Sequence, residues 1–314
     1  MVGSAGKKRR SAVAKREQRA AYLFLIPALL GLSLITYLPL LAAFGIGFTN
    51  LNTVHFVRNN KLEPLRFVGL DNFIDIFKNP SVDVLNSIYV TVYFALIAVA
   101  GSIVYSMLIA LLLNRKVPGR AFFRAIFYVP YILPAASVMI GWYFLLMDNG
   151  IVNYALSQLG LGKLQFLSNA ATVMPTLAVI SVWTCGNLIV IFLAGLQNVP
   201  RVYQEAAEID GANAWQRFWH ITIPCMTPII FYNLLMSLVI NLQVVVPALA
   251  ITKGGPGKST RFMSYLIYQI AFRSRELGKA GALAFVFFIV AAIFAFILFA
   301  TSKRWIFYQG DEKK

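Results

Sequence analysis

Asn233, Ser237 and Asn241 recur every four residues in one long apolar stretch, a spacing that puts all three on one face of a helix. Trp183 and Asn187 repeat the interval in the preceding apolar stretch, and Tyr232 and Gln243 lie near the triplet in sequence. Amides and hydroxyls can hydrogen-bond to sugar hydroxyls, and an aromatic ring can cover a sugar's apolar face. No fixed charge is among them. The set therefore has the chemistry to hold an uncharged, polyhydroxylated solute, with Asn241 and Ser237 foremost. The same residue types also tie membrane helices to one another, at ~0.6–2 kcal/mol per polar contact, and for any single residue that use is the more general one.

Two other patterns imitate chemistry. Gly254-Gly255-Pro256-Gly257-Lys258-Ser259-Thr260 ends like a phosphate-binding loop, which needs a glycine five places before its Gly-Lys pair; Thr252 stands there. His55 and His220 are the only histidines and lie far apart. No HExxH, clustered Cys/His or Ser/His/Asp arrangement is available. The sequence predicts no metal site, no cofactor and no catalysis on this chain alone.

The elements that must position the polar residues follow from composition. Of 314 residues, 59% are apolar and 13% charged, with a mean hydropathy of +0.71. Soluble domains carry ~45–50% apolar and ~25% charged residues, so a water-soluble globule is excluded. Six apolar stretches are long enough to cross a bilayer, which takes ~20 residues: Tyr22–Phe48, Ser87–Leu113, Ala125–Met147, Thr172–Leu196, Pro224–Ile251 and Ala280–Thr301. Continuous runs rather than short alternating segments select helices over a barrel. The first run is too long for a secretion signal and reads as a retained anchor. The expectation is an all-α polytopic membrane protein. It divides into a basic tail (1–20), a first span (21–48), an outer loop (49–86), a five-span core (87–301) and a C-terminal tail (302–314).

The 28 Lys+Arg and 12 Asp+Glu give a net charge of +16. Placed between apolar runs, these charges read as topology signals and lipid-headgroup contacts rather than a nucleic-acid footprint. Seven Lys/Arg lie in residues 1–20, four in 114–124, four in the C-terminal tail and one, Lys163, in 148–171, which predicts both termini in the cytoplasm. The loop 252–279 disagrees, because its six Lys/Arg face one acid on the side predicted to be outside. Within it, Phe262–Phe272 is apolar but too short to span, and reads as an interfacial or re-entrant helix. No predicted span contains Asp, Glu, Lys or Arg. A proton relay is therefore disfavoured, although a sodium-coupled carrier using backbone carbonyls stays open. Uphill transport would draw its energy from another subunit.

The segment 197–223 joins spans four and five. Asn198 and Pro200 suit a helix start and Gly211 its stop; Asn213 suits the cap of a second short helix, Ala214–His220, ending before Pro224. Trp215, Phe218 and Trp219 have the spacing of a buried face, predicted to pack on the chain's own spans. Tyr203, Glu205, Glu208 and Asp210 are left for a partner or water.

This loop resembles the EAA loop of permease subunits in bacterial ATP-binding-cassette importers. Glu205-Ala206-Ala207, Gly211 and Ile223-Pro224 match its pattern, and Asp210-Gly211-Ala212 and Phe218-Trp219-His220-Ile221 match its carbohydrate branch. Phe67-Val68-Gly69-Leu70-Asp71-Asn72-Phe73 and Thr252-Lys253-Gly254-Gly255-Pro256 are similar to segments of the larger, maltose-F-like or glycerol-phosphate-A-like sugar permease subunit. The resemblance implies a bacterial inner-membrane subunit that imports an oligosaccharide or polyol by alternating access. It further implies a second permease subunit, an extracytoplasmic solute-binding protein and a cytoplasmic ATPase dimer that carries ATP and Mg. Glu205, Ala206, Ala207, Asp210 and Gly211 would dock on the ATPase, and the substrate path would lie on the helices flanking the loop. The rival expectation is a self-sufficient secondary carrier or channel for a small neutral solute.

Overall fold

The computed structural model describes residues 12–53, 64–115 and 118–307, with side chains from residue 17. The basic residues 7–10, His55, Lys116 and the tail 308–314 lie outside the described residues. Among the described residues the chain is helical, and its extended pairing is one isolated bridge between Thr49 and Phe67. The helices are α1 (Ala12–Leu32), which continues through a π-turn into α2 (Leu38–Ile46), α3 (Asp71–Lys78), α4 (Val84–Asn114), α5 (Arg120–Ile132), α6 (Ala135–Leu146) and α7 (Ile151–Gln158). They are followed by α8 (Ala170–Trp183), α9 (Gly186–Asn198), α10 (Arg201–Ile209), α11 (Ala214–Arg217), α12 (Ile223–Leu242), α13 (Met263–Tyr268) and α14 (Leu277–Trp305).

Among the described residues, five helical stretches are individually long and apolar enough to cross a membrane; α8 and α9, bent by 49° at their junction, make a sixth if counted as one span. The expected number of spans stands, but three differ in form. The third stretch is not one helix over Ala125–Met147: it breaks at Leu133–Pro134, where Leu133 turns extended, because the residue before proline is driven out of the helical region. The fourth breaks at Thr184–Cys185, and the Thr184 hydroxyl bonds back to the Ser181 carbonyl. The fifth starts at Ala214, not Pro224, and ends at Leu242, not Ile251. Its helix runs through Pro224 because a π-turn at Phe218–Thr222 bonds the Ile223 N–H to the Phe218 carbonyl, shifting the ladder around the proline. The second short helix of the loop is thus the root of span five rather than a separate element.

α4 is the central post, packed against α8, α9 and α12. Val90, Phe94 and Ala98 of α4 share a core with Val173, Leu177 and Ile180 of α8, while Met107, Ala110 and Leu113 meet Ile189, Phe192 and Leu196 of α9. α13 is not interfacial. Met263, Tyr265 and Leu266 are fully buried, and the Met263 N–H donates to the Thr91 hydroxyl of α4 at 2.8 Å.

The described parts of loops 49–86, 148–171 and 252–279 gather at one end of the bundle, since Lys258 meets Asp83, Gly278 bonds the Leu51 carbonyl, and Asp148 and Ser168 share a cleft with Thr252. The described residues of 114–124, with 197–223 and Trp305, lie at the other, the hairpin end. Three of the six cations in 252–279 have local partners. Lys258 pairs with Asp83 at 2.8 Å, Lys279 with Asp75 and Glu276 at 3.5 and 3.1 Å, and Arg261 donates to the Ser81 carbonyl. Each of the three is tied to the loop 49–86.

Candidate functional site

Both breaks open onto one cavity of about 230 Å³. Its walls are Pro130, Tyr131 and Leu133 before the break in span three, Ser181, Thr184, Cys185 and Asn187 around the break in span four, and Ser237, Ile240 and Asn241 of α12. Irregular backbone at membrane depth is tolerated where it lines such a space. Asn241 organises the polar side. Its amide oxygen accepts from the Ser181 hydroxyl at 2.8 Å, and its amide nitrogen donates to the Ser237 carbonyl at 2.8 Å and the Ser237 hydroxyl at 3.3 Å. The lining contains hydroxyls, amides, a thiol and a phenol ring, and no ionisable carboxylate or basic group.

Of the five expected path residues, Asn187, Ser237 and Asn241 converge here. Asn233 does not. It is 0% exposed and donates to the Leu188 carbonyl at 3.3 Å, tying α12 to α9. Trp183 is also elsewhere, packed edge-on against Trp142 with centroids 5.4 Å apart. The shared face expected of Trp183 and Asn187 is broken by the bend between them. Tyr131, Ser181 and Thr184 were missed from sequence; the Pro130–Pro134 pair around Tyr131 was the available signal for an interrupted helix.

At the hairpin end, α10 starts after Pro200 and stops at Gly211, whose φ of +79° is a conformation that disfavours residues with a Cβ. The Ala212 N–H returns to the Ala207 carbonyl at 2.8 Å. Asn213 and Gln216 then form a reciprocal capping box, 2.9 and 2.8 Å. Glu208 pairs with Arg217, and Gln204 donates to the Thr222 hydroxyl at 3.1 Å, so the two arms are held together. Glu205, Ala206, Asp210 and Gly211 are exposed, and Ala207 is half-buried.

The aromatic residues of the second arm contradict the expectation. Trp215 and Trp219 do not pack on the spans; they are 69% and 49% exposed and stack edge-on against one another at 5.7 Å. The arm continues into span five as one helical stretch, Ala214–Leu242, on which these two rings stay uncovered. On the first arm, Val202, Ala206 and Ile209 follow i, i+4, i+7, the spacing of a buried stripe, yet all are exposed, Ile209 at 87%. Sequence reasoning passed over Val202 and Ile209, although the spacing was legible.

This is the architecture of a polytopic transport component: broken helices around a cavity with one polar wall, and a projecting helical hairpin. The chain belongs to the family of binding-protein-dependent transport system inner membrane components, whose model matches residues 73–307. It is 34% identical over 303 residues to the probable ABC transporter permease protein YesP of Bacillus subtilis, covering 95% of each chain. It is 31% identical to the multiple sugar-binding transport system permease protein MsmF of Streptococcus mutans, covering 90% of this chain and 94% of that one. Among solved structures, a chain of a bacterial alginate ABC transporter bound to a pentasaccharide-loaded periplasmic protein superposes with a TM-score of 0.75 at 22% identity, covering 92% of this chain and 96% of that one.

Proposed function

We propose that this chain is the permease subunit of an ATP-driven importer of an oligosaccharide or related polyol, with ATP and Mg held by a separate ATPase dimer. The observation that carries the reading is the uncovered stripe Val202–Ala206–Ile209 on a hairpin that is rigidly continuous with span five. An exposed apolar stripe on a short helix marks a partner surface, and Asn241, which lines the cavity, lies on the same continuous helix as the hairpin's second arm. The ATPase takes up Glu205, Ala206, Ala207, Asp210 and Gly211 with this stripe. Its closure moves span five against the broken spans and alternates access to the cavity. The hairpin end faces the cytoplasm with both termini. The opposite loops receive substrate from an extracytoplasmic binding protein, and a second permease subunit completes the path.

The cavity's lack of Lys and Arg favours a neutral solute over an anionic one. Relatives described as multiple sugar-binding and trehalose/maltose permeases support the sugar class. The test is reconstitution in liposomes with the second permease, ATPase and binding protein. ATP-dependent uptake of a neutral oligosaccharide is expected. Solute flux from this chain alone, driven by an ion gradient, would establish the secondary-carrier alternative instead.

A further inference from the structure

A second cavity, about 750 Å³, lies at the hairpin end between the C-terminus of α4, the start of α5 and the hairpin. Arg120, Arg124 and Arg201 line it together with Asn114, Gln197 and Gln204, and among the described residues no carboxylate lines it. Arg120 and Arg124 are one helical turn apart on the same face, an arrangement that like charges resist. Instead of an acid they share a neutral acceptor. With its amide oriented to satisfy the network, Gln197 accepts from the Nη2 of Arg120 at 2.9 Å and of Arg124 at 3.2 Å. The Nε of each arginine is buried without a partner. Glu208, the nearby acid of the hairpin, is engaged by Arg217.

Two guanidinium groups converging on one neutral amide, with a third arginine lining the same space, describe a site suited to an anion. We infer that this cavity binds a phosphate-bearing anion. Guanidinium forks match the oxygens of a phosphate in bidentate fashion, and the volume of about 750 Å³ leaves room for the group that carries it. The source is the headgroup of an anionic phospholipid or a soluble phosphate; both offer the same oxygens. The occupant touches α5, through Arg120 and Arg124, and the hairpin, through Arg201 and Gln204. It therefore braces the hairpin against span three. The inference concerns binding by the chain itself and does not depend on the transported solute.

The experiment uses the full chain in detergent micelles, read by native mass spectrometry and thermal shift. One arm titrates phosphatidylglycerol against phosphatidylcholine of the same acyl chains; the other titrates inorganic phosphate and pyrophosphate. If the source is lipid, phosphatidylglycerol binds about tenfold or more tightly than phosphatidylcholine, as several basic side chains at a membrane surface produce. If it is soluble, phosphate or pyrophosphate raises the melting temperature and the lipid preference is absent. Either effect is lost in R120Q/R124Q. Gln197→Glu supplies an internal carboxylate to both arginines, so it abolishes binding while preserving the fold, and it decides the matter should the double variant fail to fold. A wild-type chain that shows neither effect overturns the inference, as does an effect unchanged in Gln197→Glu; the former result would leave the arginines for a partner protein's carboxylates.

Discussion

The Ser181 hydroxyl donates to the Asn241 amide oxygen at 2.8 Å, joining the last turn before the break in span four to the middle of span five. The Asn241 amide is held in turn by its donation to the Ser237 carbonyl at 2.8 Å. The bond fixes the polar wall of the cavity. It also makes span five the element through which any movement of the hairpin reaches that wall.

Asn241→Ala removes an acceptor and a donor at the cavity surface. The expected outcome is an uptake rate at subsaturating substrate reduced at least about tenfold, the loss of ~1.5 kcal/mol or more expected when a polar partner is deleted and its neighbours are left unpaired. Asn233→Ala, four residues before Ser237 but outside the cavity, should lower the melting temperature and leave the apparent affinity for substrate unchanged. Concentration dependence of uptake in proteoliposomes separates the two. Equal effects on affinity would remove Asn241 from the substrate path.

The hairpin can be separated from the chain's own stability in a similar way. Ile209 is 87% exposed, so Ile209→Ser should change the melting temperature of the isolated chain by less than about 0.5 kcal/mol equivalent. Its cost should appear only in co-purification of the ATPase. Glu205→Lys, a charge reversal on the same arm, should leave the ATPase bound but hydrolysing without uptake, or release it. Full coupled transport by Glu205→Lys would count heavily against the docking role.

What was legible in the sequence was whatever depends on length and local chemistry. Apolar run lengths fixed the number of spans, Gly211 announced the stop that its positive φ requires, and Asn213 announced the capping box. What was not legible depends on neighbours. Composition reads Ala125–Met147 as one span, and Pro130 and Pro134, the signal for an interruption, do not say that the helix ends outright at Leu133–Pro134. Trp183 and Asn187 share a face only if the helix between them is straight. The exposure of Trp215 and Trp219 reverses a rule that holds for proteins whose apolar faces are all covered within one chain. Three of five path residues converged because Ser237 and Asn241 sit on an unbroken helix and Asn187 starts the one beside it.

At the opposite end, the hydrogen bond from Lys258 holds the Asp83 carboxyl below its ordinary value. A depressed carboxyl contributes stability that is complete above its unfolded value, ~3.9, and lost as pH falls through the lower folded value. Both partners are partly exposed, so the contribution is under about 1 kcal/mol. Asp83 has a φ of 51°, which asparagine also tolerates. Asp83→Asn should therefore melt slightly below wild type at pH 7, and the difference should shrink as pH falls from about 4 and disappear only below the lowered folded value. Melting curves at pH 7 and at successive steps below about pH 4 test it, and a difference that never shrinks in acid would assign the effect to the backbone rather than to the ion pair.

The first span makes the last case. None of the apolar window in Glu17–Ile46 is buried, and its docking on the bundle comes from α2, which packs on α14. At their crossing a Cβ added to Gly281 would lie 2.7 Å from the Gly47 nitrogen and 2.8 Å from the Ala43 carbonyl. Small residues allow such backbone approach, which in lipid replaces the hydrophobic drive for association. Phe44 adds a T-shaped contact with Phe285, centroids 5.1 Å apart, that depends on the same approach. Gly281→Leu should therefore push α2 off α14, at about 1–3 kcal/mol as for other overpacked contacts. The cores that α4 shares with α8 and α9 contain no residue of α14 and should survive, so the chain should still purify as a folded species. Cysteines placed at Ala43 and Ala284, which line the same shallow pocket, should crosslink readily in an otherwise wild-type chain and poorly beside Gly281→Leu. Undiminished crosslinking would mean that the first span is held by something other than this crossing.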